Sequence, residues 1–210
     1  MKISFKNLFF AVLLAFSGLF TAHAQERDSL LQQALAASNL REQLYDYPGA
    51  IEELNLPELD NQFFVKLRMA ELYAYTGKYT EALQAYQKAL LMERGSLQAL
   101  EGMMNLHYGS MDYPHAKLMA KKILALSPYH KNATLIAAKL LMANLDFLGA
   151  KMILEKYLQA WPTDYLANLN KVYCCIGMHD KPQAEKILLL LQSLYPGAAE
   201  LSALDAALHP

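Results

Sequence analysis

The sequence predicts an all-α fold, a right-handed solenoid of stacked antiparallel helix pairs, and two observations carry that prediction. First, the chain matches itself when slid by 34 residues. Ala82, Ala116, Ala150 and Ala184 form one row, Pro128, Pro162 and Pro196 a second with Arg94 in the first copy, and Tyr79, Tyr113 and Phe147 a third that Lys181 breaks. A fixed period of this length marks a helix pair that cannot bury its apolar face alone and stacks on its neighbours. Second, turn residues recur in phase with the rows: Gly77-Lys78, Asp112-Tyr113-Pro114, Asn144-Leu145-Asp146 and Asp180-Lys181-Pro182 divide each repeat into two helices.

The chain opens differently. Lys2 and Lys6 form a basic region, Leu8–Leu19 is apolar, and Ala22-His23-Ala24 is a small-residue cleavage site. Residues 1–24 are therefore expected to be a bacterial secretory signal peptide, too short to span a membrane, with a soluble product that starts at Gln25. Gln25, not a cysteine, stands directly after the cleavage site, so no lipid anchor is expected there. The expected location is the periplasm or the exterior, without stable membrane insertion.

The chain carries 19 Lys and Arg against 20 Asp and Glu, a formal charge of −1, and loss of Lys2 and Lys6 makes it more acidic. That balance points away from nucleic acid. Charged residues make up only 19% of the chain, low for a solenoid with so much surface, which hints at an apolar region covered by a partner. The two cysteines, Cys174 and Cys175, are adjacent and suit neither an intrachain disulfide nor a zinc site. They are expected to be packed helix residues.

The repeats follow in order within one solenoid domain, 25–210. Asp28–Tyr45 carries Leu30, Leu31, Ala34, Leu35, Ala37 and Leu44 at helical spacing, with Asp28 as its expected N-cap. Tyr47-Pro48-Gly49-Ala50 copies Tyr113-Pro114-His115-Ala116, and Pro57 cuts the next helix short. Residues 28–60 thus read as a degenerate first repeat that caps the array. Full repeats are expected at 63–96, 97–130, 131–164 and 165–198, followed by a capping helix over 198–208 with Leu201, Leu204 and Leu208 on one face. Each alanine of the first row is expected where two helices cross at close range, since a larger side chain would force them apart.

With Ala70, Tyr73, Gly77, Tyr79, Ala82, Tyr86 and Ala89 in phase, the chain resembles the tetratricopeptide repeat family over roughly Gln43–Pro196. Later copies depart from the pattern, with Met104 and Val172 at the small-residue position and Lys171 where a large aliphatic is usual. The resemblance implies an adaptor or scaffold that buries a partner segment without covalent chemistry.

The residues offer no competing chemistry. There is no H-E-x-x-H, Gly-rich phosphate loop or G-x-S-x-G elbow, and no catalytic, cofactor or metal residue is assigned. No two of His107, His115, His130, His179 and His209 lie three or four apart, and His107 falls on a packed face where a hydrogen-bonded core histidine outweighs a ligand. An enzyme is not expected.

The candidate site is the inner, concave face lined by the first helix of each repeat. Its partner-binding positions are Leu67, Glu71 and Tyr75; Glu101, Asn105 and Tyr108; Leu135, Lys139 and Met142; and Leu169, Asn170 and Tyr173, with Phe64, Gln98, Asn132 and Leu166 beside them. Tyr75, Tyr108 and Tyr173, at spacings of 33 and 65, are expected to face one surface. Aromatic anchors and amides with few charges suit an extended peptide or a partner helix. The family's carboxylate clamp uses Lys and Asn, whereas Leu67 and Glu71 stand at its leading two positions, which argues against capture of a C-terminal tail. Two readings stay open: a groove for a peptide or protein, and a self-associating envelope subunit, a homo-oligomer whose groove holds its own chain.

Overall fold

The computed structural model describes residues 25–209, and the expected leader, 1–24, lies outside them. Among the described residues the fold is all-helical and built of stacked helix pairs. The helices are α1 (25–43), α2 (Tyr47–Leu54), α3 (Phe63–Tyr75), α4 (Tyr79–Met92), α5 (Leu97–Gly109), α6 (Tyr113–Leu126), α7 (Lys131–Ala143), α8 (Phe147–Ala160), α9 (Tyr165–Gly177), α10 (Lys181–Leu194) and α11 (Ala199–Leu208). They form two compact units, one ending at Glu93 and the other beginning at Arg94. No helix of the described residues is long and apolar enough to cross a membrane.

One turn design closes every pair, and its physics explains the 34-residue punctuation. The central turn residues Tyr45, Gly77, Met111, Leu145 and His179 all have positive φ, between 60° and 73°. That left-handed residue lets the following amide reach back five residues: Asp46, Lys78, Asp112, Asp146 and Asp180 donate to the carbonyls of Arg41, Tyr73, His107, Leu141 and Cys175 at 2.8–2.9 Å. The same residue then starts the next helix. Asp46, Asp112, Asp146 and Asp180 each accept a hydrogen bond from the amide three residues on, while Lys78 supplies no side-chain cap.

The alanine row sits where expected. Ala50, Ala82, Ala116, Ala150 and Ala184 are all fully buried. In the first unit Ala34, Ile51, Leu54, Leu59, Val65 and Leu72 share one apolar cluster. In the second, Ala150, Leu154, Tyr157 and Cys174 form one cluster and Val172, Cys175, Leu188, Leu191 and Leu201 another. Leu201 brings α11 onto the second cluster, with Leu204 and Leu208 partly buried beside it, as a terminal helix with one apolar stripe requires. Both thiols are free and buried; burial pushes Cys174 up to about 11 and raises Cys175 as well, so neither is a ready nucleophile.

The first helix corrects one expectation. It already runs from residue 25, so Asp28 lies inside α1 and is not its cap. Pro57 acts as expected: α2 stops at Leu54, and Pro57–Leu59 forms a single 3-10 turn.

Candidate functional site

In the second unit α5 adjoins α7 and α7 adjoins α9, so the first helices form a continuous face. Its most ordered part is polar. The Asn132 amide donates to Glu101 at 2.9 Å and to Asn105 at 3.0 Å, and His130 lies 3.5 Å from the other Glu101 oxygen. Glu101 is half-buried, Asn105 and Lys139 are exposed, and Met142 is half-buried. Tyr108 is half-buried against the Tyr113 ring, with centroids 5.9 Å apart.

Four of the twelve expected contact residues are instead used by the fold. Leu135 and Leu169 are buried in the clusters that hold Ala167 and Leu201, residues of the next first helix along. Leu67 is 6% exposed in the first unit. Asn170 is buried and its amide donates to the Leu166 carbonyl at 2.9 Å. In the second unit the seam with the next helix along consumes Leu135 and Leu169, so the open stripe there is narrower than helical spacing alone implies.

At the far end of the second unit the chain covers part of this face itself. Glu200 of α11 accepts hydrogen bonds from the hydroxyls of Tyr165 and Tyr173, each at 3.2 Å. Burial and the neighbouring Glu200 carboxylate raise the pKa of both tyrosines. Tyr108 and Tyr173 therefore occupy unlike settings. Tyr108 is the twelfth residue of α5 and Tyr173 the ninth of α9, so Tyr108 lies almost a turn farther along and meets Tyr113.

In the first unit Tyr75 is exposed, its ring 5.8 Å from Tyr47. Glu71 is tied to Arg68 at 3.2 Å, and Arg68 also pairs with Glu42 and bonds Asn39. A pocket of about 200 Å³ there gathers Asp60, Lys66, Glu81 and Lys88. Its buried Lys66 is paired with Asp60, whose carboxyl that ammonium holds below the usual range. The charges compensate one another, as a buried lysine demands.

The structure also joins residues that sequence spacing kept apart. His107 ends α5, His115 starts α6, and both ring Nδ1 atoms reach the carboxylate of Asp112 in the turn between them. The eight-residue separation hides this, because a turn and not a helical face brings the rings together.

No protein-family model matches the sequence, and no curated protein sequence matches it. Solved structures do. A tetratricopeptide repeat protein from Parabacteroides merdae aligns with TM-score 0.75 and 19% identity over 86% of this chain and 73% of its own. PilF of Pseudomonas aeruginosa aligns with TM-score 0.67 and 18% identity over 93% and 95%. YrrB, described as a tetratricopeptide repeat protein with an unusual peptide-binding site, aligns with TM-score 0.60 and 21% identity over 74% and 77%. The fold is thus that of the tetratricopeptide repeat solenoids.

Proposed function

We propose that this protein is an exported, non-enzymatic scaffold that holds a peptide or protein segment against the first helices α5 and α7. The observation that carries the reading is the Glu101–Asn105–Asn132 network, a row of amide and carboxylate groups already fixed by their own hydrogen bonds beside exposed Lys139. Polar groups ordered in advance engage a peptide backbone without a further ordering cost. The peptide site named for YrrB, on the same fold, supports this choice. Export rests on the leader, and N-terminal sequencing of protein from the native host is expected to begin at Gln25.

The bond of Glu200 to Tyr165 and Tyr173 favours a second reading, a self-associating subunit whose own end occupies the face. Affinity capture from the native host separates the two. The scaffold reading expects a partner that Lys139→Glu releases while the helical melt is unchanged. Recovery of the chain's own copies alone, with a native mass of several subunits, supports self-association.

A further inference from the structure

We propose that His107, Asp112 and His115 form a binding site for a divalent transition-metal ion of the zinc, nickel or copper class. Asp112 Oδ2 lies 3.0 Å from His107 Nδ1 and 2.8 Å from His115 Nδ1, and Asp112 Oδ1 lies 2.9 Å from His115 Nδ1. The two imidazoles stack with centroids 5.0 Å apart and planes 23° apart, so both present the same nitrogen toward one carboxylate. One ligand atom from each residue falls within 4.8 Å of the others. Tetrahedral bonds of about 2.0–2.1 Å place donors roughly 3.3 Å apart, so the histidine–carboxylate separations of 2.8–3.0 Å open slightly around an ion, an adjustment that small side-chain rotations supply.

The backbone fixes two of the three ligands. Asp112 is held by its amide bond to the His107 carbonyl at 2.8 Å, across the left-handed Met111. Its capping bond to the His115 amide is 3.4 Å long, against 3.0, 2.9 and 3.3 Å at Asp46, Asp146 and Asp180. The same carboxylate also meets both imidazoles. The repeat does not require this trio: the positions of His107 and His115 hold Tyr73 and Glu81, Leu141 and Gly149, and Cys175 and Gln183 in the other copies.

Two imidazoles and a carboxylate select borderline metals over calcium or magnesium, which favour all-oxygen sites. His107 is nearly buried, Asp112 partly exposed and His115 largely exposed, so an ion has an entry path and keeps one position for water. Bound there, it ties the end of α5 to the start of α6.

The test is calorimetric titration of the untagged, chelator-stripped protein with zinc and nickel salts, alongside thermal melts. The expected result is one ion per chain and a melting temperature that rises with metal and returns with chelator. His115→Ala and Asp112→Asn, which keeps a capping side chain, are expected to weaken binding at least about tenfold. His209→Ala, removing the histidine near Glu185 and Asp205, is expected to leave it unchanged. Absence of heat and of a thermal shift with both salts overturns the proposal, and so does binding that survives loss of His115.

Discussion

The Tyr173 hydroxyl donates to Glu200 across 27 residues of sequence, the same separation that joins Asn132 to Asn105. The two pairs are equivalent rungs between successive first helices, and one rung uses the last helix of the chain. The register of the stack is therefore set by side-chain bonds on this face as well as by the alanines behind it. Replacing Glu200 by Ala is expected to speed hydrogen exchange in α11 while α5 and α7 keep their protection. Equal exchange in both proteins would show that the apolar stripe of Leu201, Leu204 and Leu208 seats the helix without Glu200.

Ala150 tests the phase of the repeat. It is fully buried where α7 meets α8, and Ala150→Leu is expected to cost about 1–3 kcal/mol by overpacking. Met152, two residues on and exposed, serves as the control, with Met152→Leu expected within about 0.5 kcal/mol of the parent. Chemical denaturation measures both, and equal stabilities would displace the crossing from Ala150.

Leu145 holds a backbone conformation that suits glycine, with φ at 61° and its side chain in solvent. A left-handed residue with a Cβ costs about 1–2 kcal/mol, of which glycine recovers part after its own entropy loss. Leu145→Gly is expected to raise stability by roughly 0.5–1 kcal/mol in a thermal melt. A fall would mean that the exposed side chain contributes packing.

Lys78 occupies the position at which four other turns place a capping aspartate. Lys78→Asp is expected to stabilise α4 by about 0.5–2 kcal/mol. An unchanged midpoint in urea would place the N-terminus of α4 outside the cooperative unit.

Asp164 supplies the acid dependence. It caps α9 through Ala167 at 3.0 Å and meets Lys131 at 2.8 Å and the Tyr157 hydroxyl at 3.2 Å. Burial pushes its carboxyl up, but Lys131, the Ala167 amide and Tyr157 outweigh burial and leave it below the usual value. The unfolded carboxyl takes its proton near about 3.9, the folded one only at lower pH, so the stabilisation present above that value declines as pH falls through the folded pKa. Asp164→Asn is expected to flatten this dependence in acid unfolding curves; an unchanged curve would assign it to other carboxylates.

The architecture was legible because its causes are periodic. One alanine per repeat marks each close crossing, and the aspartates of the turns announce both the end of one helix and the cap of the next. The left-handed turn residues were legible only at Gly77, since Met111, Leu145 and His179 carry no such signature. The site was legible only in part. Glu101 and Asn105 meet Asn132 between α5 and α7 and Lys139 stays exposed, but Leu135 and Leu169 were drawn into the seam with the next first helix. Helical spacing tells which side a residue faces and says nothing of how closely the neighbouring repeat approaches. The His107–Asp112–His115 cluster escaped for a related reason: it spans a turn.

In the proposed function α5 and α7 carry the partner. Photo-crosslinking in the native host tests it most directly, with the reactive group placed at Asn105, at Lys139, and at exposed Lys122 and Lys156 on the second helices α6 and α8. One heterologous adduct is expected from Asn105 and Lys139 and none from Lys122 or Lys156. An adduct confined to Lys122 and Lys156, or one made only with the chain's own copies, would contradict it.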